Sequence, residues 1–498
     1  MSFVSVNPRL IAPELVVAFA AFAVLVADLF LPPERKRLLW WLSLAGLGLA
    51  LVTAGAGWYA KGTTLNGAFV SDPFTSTIKM VFLLAAFLAV MTSLDERLIA
   101  RISVGEYYCL MLFATFGFMV LASAGDLIMI FVGLEMASIP CYVLAGYSYQ
   151  DVKSNEAGIK YFLLGAFSSA ILLYGMSFLY GLCGSTFLTD IGSALGRGSD
   201  TLVPTIGFGV FLAGLTFKMT VVPFHMWVPD TYEGSPTPVA AFFSVVSKTA
   251  GLVVLIRVMA ALKPGFLALN MDWTFVLSVL SAMTMIVGTV IGVVQTNVKR
   301  LLAYSSIAHV GYILIGVCAG TRAGIQSVVI YLFAYLFMSI GSFSVVTAVS
   351  RATGGEGLSH FTGLNRRSPV LAAAMAVFLL SQAGIPPLAG FIGKFFIFGV
   401  AIREQMYALA VIGVLTSVIS LFYYAKILKA MYFTRADAPA EDSPAVAQSP
   451  ALPVSAVATT PAMRTALVIM VFFTLALGLF PGPLIEIARD SVRLWLGG

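Results

Sequence analysis

Four ionisable side chains lie near the middle of long apolar segments of this 498-residue chain. They are Glu135 in IFVGLEMASIP, Lys218 in LAGLTFKMTVV, Lys248 in FFSVVSKTAGLVV and Lys394 in LAGFIGKFFIF. Insertion scales put the cost of a charged side chain at the centre of a bilayer at about 2.5–3.5 kcal/mol. A glutamate–lysine ion pair that holds two helices in register would offset this cost. Because three lysines face one glutamate, at least two lysines must be neutral or solvated by internal water.

Buried lysines of this kind are suited to carry protons. Burial disfavours the charged ammonium, so that the group can bind and release a proton near neutral pH. A nearby carboxylate has the opposite effect, with an attraction of roughly 4 kcal/mol at about 4 Å and an effective dielectric of about 20. Movement of Glu135 relative to Lys218 would therefore switch the proton affinity of the lysine. Series of such groups are typical of proton paths through membranes.

Three histidines and a further lysine add to this set. His309, in AYSSIAHVGYILIG, is either a hydrogen-bonded packing residue or a proton shuttle, and the nearby lysines favour the shuttle. His225 follows the proline Pro223, which interrupts the helix. His360 lies in a loop and is assigned no role. Lys160 either extends to the headgroups or lies at an internal junction. Three lysines near segment ends are expected to extend to the headgroups: Lys79, Lys426 and Lys429.

The elements that carry these residues are predicted to be transmembrane helices. The composition is 59% hydrophobic and 10% charged, with a mean hydropathy of +0.96, whereas soluble domains carry about 25% charged residues. A bilayer core of about 30 Å needs about 20 apolar residues per helix. Fourteen runs meet this criterion: 10–31, 38–58, 75–94, 107–124, 127–147, 158–183, 202–222, 237–261, 273–294, 300–319, 325–349, 369–400, 405–431 and 465–485.

The distribution of basic residues predicts the orientation. With fourteen spans both termini share a side, whose connections hold nine lysines and arginines, and the opposite side holds fifteen, among them Arg97, Arg101 and Arg435. Because cytoplasmic connections are rich in lysine and arginine, both termini are predicted to lie outside the cytoplasm.

Two proline-containing breaks, VVPFHMWVP and AGIPPLAGF, lie within apolar spans. Proline frees a backbone carbonyl, which is tolerated at membrane depth only against protein or a wet cavity. Each break lies near a central lysine, Lys218 or Lys394, and would hydrate it. Paired interrupted helices indicate inverted repeats in transporters. The prediction is an all-α integral membrane protein in which spans 4–8 and 9–13 form two inverted five-helix repeats, with spans 7 and 12 discontinuous.

The spans divide the chain into five predicted segments. Residues 1–106 form an N-terminal three-helix segment, 107–263 the first repeat and 264–435 the second. Residues 436–464, rich in Ala and Pro, are expected to form a flexible linker. Residues 465–498 hold the last transmembrane helix and a short tail, in which IEIARDSVRLWL is predicted to be an interfacial helix with Trp495 at the headgroups.

Several other functions lack support in the sequence. The four cysteines, Cys109, Cys141, Cys183 and Cys318, stand alone in apolar runs and are interpreted as small buried residues. No glycine-rich nucleotide motif follows a strand-like run. Basic residues are scattered rather than clustered, which argues against a nucleic-acid partner. We therefore expect no cofactor and no metal ion in this chain.

The run VVPFHMWVPDTYEGSPTPVAAFFSVVSK resembles the antiporter-like membrane subunits of bacterial NADH:quinone oxidoreductase, respiratory complex I. FVGLEMASIPCYVLAGY, VQTNVKRLLAYSSIAHVGYILIG and LSQAGIPPLAGFIGKFFIF fit the same pattern. These subunits are related to those of multisubunit cation/proton antiporters. PDTYEGSPTPV, and a lysine at position 394 where subunit M carries glutamate, favour the subunit N family. The resemblance covers about three quarters of the chain.

The resemblance implies a role for each matching residue. Glu135 would be the carboxylate partner of Lys218, and Lys248 would carry protons along a central hydrophilic axis. His309 would bridge to the second repeat, and Lys394 would be the terminal exchange group. Two residues would be accessory members of the path: Lys160 and His225.

The resemblance also implies a function for the chain within a complex of the bacterial inner membrane. Redox chemistry in partner subunits, which would hold the NADH, FMN, iron–sulfur and quinone sites, would drive protons through this subunit. Its partners would be the other membrane subunits, above all the homologous antiporter-like ones. Two relatives remain as alternatives, namely a subunit of a multisubunit sodium/proton antiporter and one of a ferredoxin-dependent relative of complex I. A scaffold whose charges only hold helices together is the third interpretation.

Overall fold

The computed structural model describes residues 6–94, 104–197, 201–434 and 457–495. Over these ranges the chain forms nineteen α-helices and one β-hairpin, in which β1 (Gly62–Thr64) pairs antiparallel with β2 (Phe69–Ser71). Part of the predicted linker, 436–456, lies outside the described residues, as do Arg97, Arg101 and Arg435.

In chain order the helices are α1 (Ala12–Phe30), α2 (Arg37–Ala56), α3 (Pro73–Ser93), α4 (Val104–Ala122), α5 (Leu127–Ala145), α6 (Val152–Cys183), α7 (Leu188–Leu195), α8 (Leu202–Met219), α9 (Trp227–Gly234), α10 (Thr237–Ala268), α11 (Thr274–Val294), α12 (Val298–Cys318), α13 (Arg322–Thr353), α14 (Leu364–Arg367), α15 (Pro369–Ala383), α16 (Ala389–Arg403), α17 (Tyr407–Tyr432), α18 (Pro461–Leu479) and α19 (Gly482–Trp495).

The helices account for the fourteen predicted spans. Thirteen of those in the described ranges are long and apolar enough to cross a membrane. The remaining predicted span, 369–400, consists of two 15-residue helices, α15 and α16, on either side of a break. The prediction of an all-α membrane protein with about fourteen spans is therefore confirmed. Helices α10, α12 and α13 form the buried centre, and the other spans surround them.

Both predicted breaks are present. Helix α8 ends where Thr220 adopts a left-handed conformation with φ 63°, and α15 ends where Gly384 does so with φ 89°. Left-handed residues terminate helices because the next N–H can no longer reach its carbonyl four residues back. The backbone groups that the breaks leave without a helical partner form hydrogen bonds to other parts of the protein, as polar groups inside a membrane must. The Trp227 indole donates to the Phe217 carbonyl at 3.0 Å, and the Val222 N–H donates to the Thr284 hydroxyl at 3.0 Å.

Matching local features support the internal repeat. Asp126 caps the N-terminus of α5, and Asn297 caps that of α12 in the same way. Helices α6 and α13 each have 32 residues and end at a left-handed glycine, Gly184 or Gly354. Because five crossings make up each repeat, the second one enters the membrane from the opposite side. The boundaries 107–263 and 264–435 remain a prediction.

The C-terminal helix α19 packs against α3 and α13. Leu484, Ala488 and Val492, spaced by one turn each, are buried on one face. The Trp495 ring stacks on Phe74 with ring centroids 4.7 Å apart. The helix therefore has the buried apolar face that its amphipathic pattern predicts, while its place at the membrane surface and that of Trp495 at the headgroups remain predictions.

Candidate proton-transfer site

Lys218 occupies the last turn of α8, next to the first break, and is 6% exposed. Its ammonium donates to the Ser138 hydroxyl at 2.8 Å and to the Tyr142 hydroxyl at 3.0 Å. It also lies 5.2 Å from the centroid of the Tyr142 ring, within the range of cation–π attraction. Neutral oxygens of α5 thus solvate the lysine.

Glu135 lies on the same face of α5 as these two residues. Glu135, Ser138 and Tyr142 follow the i, i+3, i+7 spacing that aligns side chains on one helix face. Among the described residues, no ion pair within 4.0 Å joins Glu135 to Lys218. The Oε1 atom of Glu135 is buried without a hydrogen-bond partner. The implied carboxylate partner therefore lies more than 4.0 Å from the ammonium, and one of its oxygens has no hydrogen-bond partner.

Lys248 lies in the middle of α10 and is 1% exposed. Its nearest polar partner is the Tyr232 hydroxyl, contributed by the short helix α9, at 3.4 Å. The ammonium also lies over the rings of Tyr232 and Tyr335, at 5.4 and 5.8 Å from their centroids. Lys248 therefore has aromatic neighbours and no carboxylate within ion-pair distance in the described part of the chain.

His309 lies in the middle of α12 and is 1% exposed. Its Nδ1 atom is hydrogen-bonded to the Tyr331 hydroxyl at 2.7 Å, and its Nε2 atom to the Tyr424 hydroxyl at 3.3 Å. Because each hydroxyl can either donate or accept, the imidazole can hold its proton on either nitrogen. The Tyr335 ring lies 5.1 Å from the imidazole, between His309 and Lys248.

Lys394 lies on α16, just after the second break. Its ammonium donates to the backbone carbonyls of Gln382 and Ala383, both at 2.9 Å, and to the Ser417 hydroxyl at 2.7 Å. The two carbonyls belong to the C-terminal end of α15, which carries partial negative charge. A cation from one half of the broken helix thus caps the other half.

A row of hydrogen bonds leads from His309 to Gln382. From His309 it passes to the Tyr424 hydroxyl, then to the Ser305 hydroxyl, and then to the side-chain oxygen of Gln382 at 3.3 Å. A different oxygen of the same residue, the backbone carbonyl of Gln382, accepts from Lys394. These bonds draw residues from α12, α15, α16 and α17. The sequence drew attention to His309 and Lys394 but did not indicate Tyr424 or Gln382 as connecting groups.

Two cavities adjoin the lysines. A cavity of about 380 Å³ between α16 and α17 reaches Lys394 and Ser417, and exposed residues such as Phe395 form its outer wall. A smaller cavity of about 10 Å³ lies beside Lys218 and is lined by Ser138 and Ser247. That volume is about what a single water requires. Lys218 lines this small cavity, whereas Lys248, the residue after Ser247, does not.

The two predicted accessory residues lie apart from this buried set. The Lys160 side chain is 42% exposed and pairs with Glu156 at 2.6 Å and with Asp230 at 2.7 Å. His225 is half-buried in the first break, and its Nδ1 atom has no hydrogen-bond partner. The structure therefore buries Lys218, Lys248, His309 and Lys394, but not Lys160 or His225.

Two buried ion pairs were not predicted from the sequence. Lys79 is 1% exposed and pairs with Glu14 at 2.7 Å, so the expectation that Lys79 extends to the headgroups is wrong. Arg257 on α10 pairs with Asp72 on α3 at 3.1 Å. Both pairs attach the N-terminal helices, α1 to α3 and α3 to α10. Over the described ranges, no three His, Cys, Asp or Glu side chains are arranged to hold a metal ion.

Comparisons with known proteins place the chain. A family model described as NADH:quinone oxidoreductase/Mrp antiporter, TM, matches residues 124–420. NADH-quinone oxidoreductase subunit N of Trichlorobacter lovleyi is 40% identical over 496 residues, which cover 99% of this chain and 98% of that protein. The chain therefore belongs to the NADH:quinone oxidoreductase/Mrp antiporter family. The resemblance identified from the sequence is confirmed.

Two further relatives of this NADH:quinone oxidoreductase/Mrp antiporter family are similar over nearly the whole chain. NAD(P)H-quinone oxidoreductase subunit 2 of a Picosynechococcus species is 41% identical, over 97% of this chain and 91% of that protein. A chain in the structure of respiratory complex I from Thermus thermophilus with bound aureothin is 32% identical, with a TM-score of 0.79. The match covers 96% of this chain and 99% of that one.

Proposed function

We propose that this chain is the proton-translocating membrane subunit N of an NADH:quinone oxidoreductase. The observation that carries the proposal is the row of hydrogen bonds from His309 through Tyr424 and Ser305 to Gln382, whose backbone carbonyl binds Lys394. A scaffold would need ion pairs at these depths, but Lys248 and Lys394 instead have hydroxyl and carbonyl neighbours. The names of relatives at about 40% identity favour the oxidoreductase over the sodium/proton antiporter.

The first element of the mechanism is Lys218. The ammonium rests on Ser138 and Tyr142, while Glu135 forms no ion pair with it and has one oxygen without a hydrogen-bond partner. A shift of the ammonium from these hydroxyls to Glu135 would form the ion pair and retain the proton. Return to the neutral oxygens would favour release of the proton, because the carboxylate would no longer stabilise the charged ammonium.

The released proton would pass to the second buried lysine. The small cavity lined by Ser138 and Ser247 has room for one water and polar groups to hold it. Lys248 would receive the proton there. Tyr335, whose hydroxyl has no hydrogen-bond partner, lies between Lys248 and His309 and would connect them.

The second repeat would complete the path. His309 would exchange its proton with the Tyr424 and Ser305 hydroxyls, and Gln382 would hold Ser305 and Lys394 in register. Lys394 lines the 380 Å³ cavity and would be the group that exchanges protons with the outside. Lys160 and His225 would act as accessory groups beside the first break.

The energy would come from elsewhere in the complex. We assign the NADH, FMN, iron–sulfur and quinone sites to partner subunits, whose charge changes would move the Glu135–Lys218 pair. The chain would lie in the bacterial inner membrane with both termini on the periplasmic side. Two segment assignments belong to the same proposal, namely the repeat boundaries and a flexible linker at 436–464.

The decisive experiment compares Lys218→Ala with Lys429→Ala, the same change at an exposed lysine. Proton uptake and NADH-dependent quinone reduction are measured in inverted membrane vesicles, and assembly of the complex is checked. We expect Lys218→Ala to assemble but to lose pumping and coupled turnover together, and Lys429→Ala to match wild type. Replacement of NADH by reduced ferredoxin identifies the electron donor. Wild-type pumping by an assembled Lys218→Ala complex would overturn the proposal.

A further inference from the structure

The short helix α9, which follows the first break, is held by charged residues from both repeats. Asp230, in its middle, pairs through one carboxylate oxygen with Lys160 of α6 at 2.7 Å. Its other oxygen pairs with Arg300, at the start of α12, also at 2.7 Å. One carboxylate of the first repeat is therefore shared between a lysine of its own repeat and an arginine of the second.

Glu233 repeats this arrangement one turn later. It pairs with Lys153 of α6 at 3.1 Å and with Arg300 at 3.1 Å. Asp230 and Glu233 are three residues apart and face the same side of α9. Both bonds come from the same nitrogen of Arg300, Nη1, which has two hydrogens and can donate to both carboxylates at once.

Lys299, the neighbour of Arg300, binds the end of the same helix. Its ammonium donates to the backbone carbonyls of Glu233 at 2.9 Å and Ser235 at 2.8 Å. It also pairs with Glu356, beyond α13, at 2.9 Å. A buried cation at the C-terminal end of α9 interacts favourably with its partial negative charge. Two adjacent residues at the start of α12 thus hold α9. Arg300 binds two carboxylates on its side, and Lys299 binds carbonyls at its C-terminal end.

Arg300 forms ion pairs that connect the two repeats. Of the pairs formed by the described residues, the two that join the first repeat to the second both run through Arg300. Helix α9 has only eight residues, too few to be stable without tertiary contacts. The position of α9 therefore depends on the residues of other helices that bind it.

The two helices that this contact joins, α9 and α12, both carry residues of the proton-transfer site. Helix α9 carries Tyr232, the polar partner of Lys248, and α12 carries His309 nine residues after Arg300. We infer that Asp230 and Arg300 are positioning residues, which hold α9 against α12 so that Tyr232 stays beside Lys248 and in line with His309. This inference rests on the proposed function and assigns these two residues no proton of their own.

The test compares Arg300→Gln, Asp230→Asn and the double variant with Lys153→Gln. Lys153→Gln is the matched control because it removes a partner of the same Glu233, but one within the first repeat. In Arg300→Gln each carboxylate keeps a lysine, so the fold is expected to persist. The readouts are assembly of the whole complex and the coupled rates of proton uptake and NADH oxidation.

We expect Arg300→Gln to lower the coupled rates of proton uptake and NADH oxidation by roughly tenfold, since small misplacements of reacting groups are costly. The double variant should be no worse than the worse single one, because both act through one contact. Lys153→Gln should match wild type. If Arg300→Gln does not assemble, Arg300→Lys, which keeps the charge on a shorter side chain, should assemble and show intermediate rates.

Wild-type rates of proton uptake in assembled Arg300→Gln or Arg300→Lys complexes would overturn the inference, as would an equal loss in Lys153→Gln. The proposed function has a separate test, since it fails only if Lys218→Ala pumps normally. A complex in which Lys218→Ala loses pumping while Arg300→Gln retains it would refute the positioning role and leave the proposed function standing.

Discussion

Lys394, in one half of the second broken helix, donates at 2.9 Å to the backbone carbonyl of Gln382 in the other half. The same ammonium contacts Ala383 and Ser417. One side chain thus satisfies the carbonyls that the break frees and provides an ionisable group at the cavity. The structural and the proton-carrying roles of this lysine can be separated, because arginine keeps the charge but does not give up its proton.

Lys394→Arg is expected to assemble and to lose pumping. The guanidinium can still donate to the carbonyls of α15, but it stays protonated at any physiological pH. Pumping should fall by roughly a hundredfold, the scale of a lost acid–base group. Proton uptake by inverted vesicles measures this, with Lys429→Arg on the exposed face of α17 as control. Normal pumping by Lys394→Arg would show that the residue is only a cap.

Glu135→Gln should leave assembly unchanged, because Glu135 makes no ion pair to Lys218 in the resting arrangement. Pumping should fall by roughly tenfold or more, since the amide cannot hold the charged ammonium. Ser138→Ala is the counterpart, which weakens the resting position of Lys218 and leaves the carboxylate in place. If Glu135→Gln instead impairs assembly and spares pumping in the assembled fraction, the residue has a structural role.

Tyr424→Phe removes the hydroxyl that joins His309 to Ser305. Loss of a hydrogen bond of about 1 kcal/mol corresponds to roughly a fivefold change, and the rate of proton uptake is expected to fall by at least that factor. Tyr407→Phe, the same change at the exposed start of α17, is the control and should pump like wild type. Equal rates for both variants would exclude a path through Tyr424.

Lys79→Met tests the buried ion pair of the N-terminal helices. Removal of one partner leaves the Glu14 carboxylate buried and unpaired, which costs about 3–5 kcal/mol. Thermal stability of the purified complex should fall, and the double change with Glu14→Gln should restore most of it. Lys36→Met, which breaks the more exposed pair with Asp28, should cost less than about 1 kcal/mol. Protons pumped per NADH should stay constant throughout, and a change in that ratio would place the pair in the proton path.

The sequence predicted what depends on local pattern. Span lengths follow from apolar runs, and the breaks follow from proline and from the residues that end α8 and α15. The unexpected results are contacts between distant helices. The resting position of Lys218 on α5, the Lys79–Glu14 pair and the Tyr424 link each join residues more than sixty positions apart. Hydropathy shows which segments cross the membrane, but not which faces of those segments meet.

The pair between Arg257 of α10 and Asp72 of α3 has a consequence for the length of the protein. It ties the first three helices to a repeat that holds the buried lysines. A homologous chain that begins after α3 would leave the buried guanidinium of Arg257 without this carboxylate, and arginine cannot become neutral by losing a proton. Shortened forms of this protein should therefore carry an uncharged residue at the position of Arg257, or recruit an acidic side chain from a neighbouring subunit in place of Asp72.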